Sequence, residues 1–138
     1  MKKSKAKFEA SDDLSNNLFM LLSKDLTKLT LKETHAYVNK LKIDLDFNIF
    51  IDRKVIIDTL YYDDINYKII VIFKEYNFLK NKIVKYETEL TINKSHKFII
   101  EKLNNAKVND KIKISFNINN IEYINNILKI KINLISIN

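Results

Sequence analysis

Residues 98–118 decide the reading. They run Phe98-Ile99-Ile100-Glu101-Lys102-Leu103-Asn104-Asn105, then Ala106 to Asp110, then Lys111-Ile112-Lys113-Ile114-Ser115-Phe116-Asn117-Ile118. Within that span the apolar period changes from helical to two. Phe98, Ile99 and Leu103 share one side of a short helix predicted over about 95–104, with Asn93 or Ser95 as its cap. Asn104-Asn105 ends it, because Asn is the best left-handed residue in a chain that lacks Gly. From Lys111 on, Ile112, Ile114, Phe116 and Ile118 alternate with Lys111, Lys113, Ser115 and Asn117, which is the mark of a half-buried strand. Phe116 shares its parity with three isoleucines and is predicted to be core.

Working outward, a final strand follows, with Leu128, Ile130, Ile132 and Leu134 on one face. Before the helix come three more extended segments. Ile83 to Ile92 turns Val84, Tyr86, Thr88, Leu90 and Ile92 one way, and Lys85, Glu87, Glu89 and Thr91 the other. Tyr67 to Phe78 is apolar on both faces through its middle and reads as a central strand. Ahead of it, Ile43 to Ile51 alternates, and Asp52-Arg53 can turn it into a further strand, Val55 to Tyr62. The order is strands, helix, strand, strand. That is the order of an OB-fold, a small Greek-key barrel with its helix between strands three and four. The predicted class is mainly β, an OB-like barrel of five to six antiparallel strands over 42–137. One strand is in excess, so 43–51 and 55–62 are either one bent strand or an added hairpin.

The start of the chain differs in character. Residues 1–10 read as a basic tail. Leu14, Leu18, Leu21, Leu22, Leu26 and Leu29 then recur at helical spacing, predicting an amphipathic helix over 12–28. Thr30 to Glu33 matches a capping box, so a second short helix to about Asn39 is expected, although Ala36-Tyr37-Val38 also suits a strand.

The stretch Lys107-Val108-Asn109-Asp110-Lys111 through Ile118, continuing to Tyr123, resembles a family pattern, K-V-G-D-x-V-K-V-S-F-N-I followed by R-G-R-E-W. The pattern belongs to a small bacterial OB-fold family of unknown function that is similar to single-stranded-DNA-binding proteins. The resemblance covers about residues 95–124 and implies an OB-fold. Asn109 and Asn120 stand where that family has Gly, and Asn tolerates the left-handed turn conformation better than most residues. Tyr123 stands at the family's Trp and keeps an aromatic. Asn119 and Ile121 stand where the family has Arg, and Asn125 replaces a following Gly.

Composition removes most enzyme classes. Among 138 residues there is no Gly, no Pro and no Cys. Walker loops, dinucleotide fingerprints, nucleophile elbows, thiolate chemistry and disulfides are therefore excluded. His35 and His96 are far apart in the chain and have no histidine at i+3 or i+4. The pairs Asp44/Asp46 and Asp63-Asp64 could hold a hard cation, but such acids more often keep a strand edge or turn soluble. No catalytic, metal or cofactor residue is expected. The 23 Ile, 23 Lys and 18 Asn, against one Arg, point to an A/T-rich genome, where lysine excess is partly codon drift. The longest apolar run, Ile69 to Phe73, is far below the ~20 residues a spanning helix needs. With no apolar leader visible, the expected location is intracellular, whether cytoplasm, organelle matrix or the host cell of a phage.

Charge is uneven. Residues 1–64 hold eleven basic and eleven acidic side chains, while 65–138 hold thirteen lysines and six acids, so the whole excess of +7 lies in the second half. Strands two and three of an OB barrel form its useful face, and a cationic face bearing aromatics can stack bases while it meets phosphates. On this chain the candidates are Lys68, Lys74, Tyr76, Phe78, Lys80, Lys82 and Lys85, with Tyr123 added by the resemblance. The plainer reading makes Tyr76 and Phe78 core residues and the lysines a solvated rim. The expected function is non-enzymatic binding of single-stranded nucleic acid, DNA before RNA. The alternative is a structural subunit of a larger assembly, homo-oligomeric or with another protein, that docks through the leucine helix and sheet surface.

Overall fold

The alternation read in 111–118 is present as burial. Ile114, Phe116 and Ile118 are buried on β4 (Lys111–Ile124), and Lys111 and Lys113 are exposed. The computed structural model describes residues 26–44, 48, 50–77, 82–93, 96–125 and 127–138. Beside β4 these include β1 (Ile51–Asp63), β2 (Lys68–Asn77), β3 (Lys82–Thr91) and β5 (Ile127–Ile137), with helices α1 (Leu31–Asp44) and α2 (Lys97–Asn104). The strands close into a barrel in the order β1-β2-β3-β5-β4. Neighbours are antiparallel except β3 and β5, which run parallel over Lys85↔Lys129, Tyr86↔Ile130 and Glu87↔Lys131. With α2 between β3 and β4, this is an OB-fold-like barrel.

Two bulges shift the parity of the last hairpin. Ile118 pairs with Ile132 and Asn120 with Lys131, so Asn119 is extra on β4 and the buried series moves from Ile118 to Ile121. On β5, Ile135 is the extra residue, and the buried series Leu128, Ile130, Ile132, Leu134 resumes at Ile137. Each insertion sends two successive side chains outward and bends its strand.

The interior is closed at one end by Leu103 of α2, which is fully buried, with Ile99 and Ile100 partly buried against the core. Phe98 was expected beside them and is instead 79% exposed. It lies five residues before Leu103, about 140° round the helix, whereas Ile99 and Ile100 lie one turn back on the same side. The ends of α2 also differ from expectation. His96 holds the N-cap position without a side-chain cap bond, and Asn105 stays right-handed at φ −93°. The Asn105 amide instead donates to the Glu101 carbonyl at 3.3 Å. Ser95 lies outside the described residues.

α1 bears out the capping box. Thr30 N–H donates to Glu33 Oε1 and Glu33 N–H donates to Thr30 Oγ1, both at 3.2 Å. The helix continues past Asn39 to Asp44, burying Thr34, Val38 and Leu41 at helical spacing. This overturns the extended reading at 43–44; residues 45–47 and 49 lie outside the described residues, and Ile51 is extended as expected. Ile43 ends a helix and is 82% exposed, because the 34/38/41 stripe outweighs the local alternation that begins at Ile43. Asp52-Arg53 is no turn either, since β1 runs unbroken from Ile51. Among the described residues the closed barrel has five strands. Of the helix expected over 12–28, Leu26 is buried and 27–29 form a turn; the rest lies outside the described residues.

Candidate nucleic-acid interface

β2 alternates with Ile69, Val71 and Phe73 fully buried, which turns Lys68, Ile70, Ile72, Lys74 and Tyr76 to the outer wall. β3 buries Val84, Tyr86, Thr88 and Leu90, which turns Ile83, Lys85, Glu87 and Glu89 outward. Register then brings Lys74 opposite Lys85 and Tyr76 opposite Ile83. Tyr76 is 39% exposed, so its ring belongs to the wall and not to the packed interior.

The lysine row continues round the barrel. On one side of Lys74 stands Ile56 of β1, and beyond it Lys111 of β4. On the other side of Lys85 stands Lys129 of β5, opposite Glu122 of β4. Two residues back along β1, Lys54 faces Lys113. A groove of about 500 Å³ opens between β2 and β4 over β1. Its sides carry Lys54, Lys74, Lys111 and Lys113, and Ile56 and Tyr76 supply apolar surface. A hollow of about 560 Å³ beside α2 carries Lys97 and Glu101, opposite charges with no aromatic ring.

Counter-charges divide the lysines. Lys68 Nζ lies 2.6 Å from Glu89, and Lys131 Nζ lies 3.4 Å from Glu122. Lys74 and Lys85 share Asp58, at 3.7 and 3.6 Å. Asp58 is the bulged residue of β1: Ile57 pairs with Phe73 and Thr59 with Ile72, so Asp58 is extra and projects onto the same wall. Among the described residues, no carboxylate lies within 4 Å of Lys54, Lys111, Lys113 or Lys129.

Behind Tyr76, the next residue back points inward. Glu75 accepts a hydrogen bond from Tyr86 Oη at 2.9 Å and lies 3.8 Å from Arg53 Nε. Burial raises the Glu75 carboxyl above its ordinary value, and the Tyr86 hydroxyl and Arg53 partly offset this. Burial, with the Glu75 charge, holds the Tyr86 phenol well above its ordinary value. Tyr86 also packs on Phe116 with ring centroids 5.2 Å apart.

Of the residues singled out in the sequence, Lys74, Tyr76 and Lys85 come together. Lys68 lies at the other end of β2, held by Glu89. Lys82 begins β3 opposite Asn77. Phe78 and Lys80 lie outside the described residues. Tyr123 is on β4, opposite Leu128 and partly buried against the core, on a different wall from Tyr76. The residues missed were Lys54, Lys111, Lys113 and Lys129. The outward parity of Lys111 and Lys113 was readable beside Ile112 and Ile114; their position next to Lys54 and Lys74 was not. Of the aspartates, Asp63 caps the β1–β2 turn, accepting from Ile65 N–H, Asn66 N–H and the Asn66 amide, which lower its carboxyl. The side chain of Asp44 and the whole of Asp46 lie outside the described residues.

No protein-family model matches this sequence, and no curated protein matches it. Among solved structures, the chain is similar to the SSB domain of a protein from Synechococcus sp., with a TM-score of 0.38 and 8% identity, over 64% of this chain and 91% of that one. No described helix is long and apolar enough to cross a membrane.

Proposed function

We propose that this protein binds single-stranded nucleic acid, DNA before RNA, on the outer wall of β1, β2 and β3, and does no chemistry on it. The observation that carries the reading is the exposed Tyr76 ring, set among Ile83, Ile56 and the lysines 74, 85 and 111 of the same wall. A base stacked on such a ring gains ~1–3 kcal/mol whatever its identity, and ammonium groups beside it meet the phosphates. A duplex has its bases already stacked and offers the ring nothing. Titration against a labelled oligothymidine and a matched duplex tests this. Single strands should bind more tightly, with affinity falling steeply as salt rises, by a log–log slope of about −0.7 per phosphate contacted. Equal or tighter duplex binding, or binding insensitive to salt, would overturn it.

A second reading, a subunit of a larger assembly, draws on the far end of the barrel. There Ile65 and Tyr67 of the β1–β2 turn and Ile92 after β3 are exposed, and the Ile92 N–H donates to the Tyr67 carbonyl. No single-strand binding at low salt would favour that reading.

A further inference from the structure

The outer wall offers two ways off Tyr76 and Lys74: over β1 to β4, or over β3 to β5. We infer that the bound strand leaves over β1 and lays its phosphates in the groove of Lys54, Lys111 and Lys113. This rests on the single-strand reading above and adds the path.

The two routes differ in charge. Along the β3–β5 route Lys129 stands opposite Glu122, which already holds Lys131, and the outer face of β3 carries Glu87 and Glu89, the latter holding Lys68 from the far end of β2. A polyanion there meets carboxylates and must displace ion pairs. Along the β1–β4 route, three lysine ammonium groups have no described acidic side chain within 4 Å, and no acidic side chain lines the groove apart from Glu75, which turns inward to Tyr86.

Pairing geometry sharpens the contrast. The N–H and C=O of one strand residue point to the same side. Lys113 spends both on Asn138, donating to its carbonyl at 3.1 Å and accepting from its N–H at 2.8 Å. Toward β1, Lys113 and Lys54 therefore form a pair without mutual hydrogen bonds, the kind that brings side chains closer. Like charges directly opposite on a sheet are destabilising. Lys74 and Lys85 have the same arrangement, but Asp58 stands between them. Lys54 and Lys113 have no such residue, and a phosphate between them supplies the missing charge. Ile56 and Tyr76 give the sugars and bases an apolar surface alongside.

Two triple variants of the full chain separate the routes, each removing three positive charges: Lys54→Gln/Lys111→Gln/Lys113→Gln, and Lys68→Gln/Lys129→Gln/Lys131→Gln. Both are titrated with labelled oligothymidine across a salt series. The first should flatten the log–log slope by about 2, three contacts at ~0.7 each, and weaken binding at low salt by tenfold or more. The second should change the slope by less than one contact. The reverse result, or equal losses from both, overturns the path while the single-strand reading stands. A wild-type chain that binds no single strand overturns both. Folding is controlled by thermal melts: the first triple should melt no earlier than wild type, since it removes a like-charge pair. A Lys→Arg triple at the same three positions should keep the slope; loss of the slope there would mean packing, not charge, is responsible.

Discussion

The carboxylate of Asp58 lies 3.7 Å from the ammonium of Lys74, on the one residue that β1 inserts into its ladder with β2. Its other oxygen is 3.6 Å from Lys85 and accepts the Thr59 hydroxyl at 3.2 Å. The bulge thus places an anion between two opposed lysines. Asp58→Asn keeps the shape and removes the charge. Oligothymidine affinity at low salt should rise about three- to tenfold, roughly 0.7–1.4 kcal/mol, and the salt slope should steepen. Stability should fall by no more than about 1 kcal/mol, the range for surface ion pairs. Unchanged affinity would show that the strand avoids this lysine pair.

Tyr76 and Phe116 offer a matched comparison of wall and core. Tyr76→Ala should leave the melting temperature nearly unchanged and cost ~1–3 kcal/mol of single-strand binding. Phe116, fully buried against Tyr86, should lose ~3–5 kcal/mol of stability on truncation to Ala. Melts and titrations of the two variants side by side check both. A Tyr76→Ala protein that melts as early as Phe116→Ala would return Tyr76 to the core.

Glu75 makes stability depend on pH. Its carboxyl holds a proton more tightly in the fold than in the unfolded chain, chiefly through burial. The stability this contributes is complete below the ordinary glutamate value and is lost as pH rises through the raised one. Urea midpoints of wild type should therefore fall, relative to Glu75→Gln, as pH rises upward from about 4. Parallel profiles would mean that Glu75 titrates normally. Tyr86→Phe removes the donor at 2.9 Å and should cost ~1.5–3 kcal/mol, the range for a hydrogen bond to a charged group, with Arg53 left as the carboxylate's partner.

Among the described residues of a chain without Gly, three take left-handed backbone angles: Tyr67 at φ 54°, Asn109 at φ 76° and Asn125 at φ 53°. Asn109 stands where the resembled family has Gly, so that expectation is met. Asn120 is not among the left-handed residues and instead follows the β4 bulge. A bulky side chain in this conformation costs roughly 1–2 kcal/mol. Tyr67→Gly should therefore raise stability by up to about 1 kcal/mol, since the side chain is 68% exposed and the 2.7 Å bond from Ile92 N–H to its carbonyl uses backbone only. Asn109→Val should lower stability by about 1–2 kcal/mol. Denaturant melts of both variants check the pair.

Local signals carried much of the architecture. Alternation in 84–90, 111–118 and 128–134 assigned inward faces that the barrel keeps, because a side chain's face follows from period two alone. The Thr30/Glu33 capping box and the helix at 97–104 were readable for the same reason: each is decided within one or two turns of chain. The start of β1 was misread because Ile43 to Ile51 alternates locally while residues 34–41 need a helix to bury one stripe.

Composition by itself excluded glycine loops, thiolates and disulfides, and period by itself ordered the strands around one helix. Register decided the rest. Which lysine faces which depends on pairings between residues as distant as Lys54 and Lys113, or Lys85 and Lys129. A one-residue slip would exchange every partner, and no local pattern specifies it. The bulge that sets Asp58 between Lys74 and Lys85 is likewise a property of two strands. Lysines scattered along the chain thus become, in the fold, a β3–β5 side where Lys68, Lys85 and Lys131 meet carboxylates and a groove over β1 where Lys54, Lys111 and Lys113 meet none among the described residues. Strand face is a local property; which charges meet is settled only when the sheet closes.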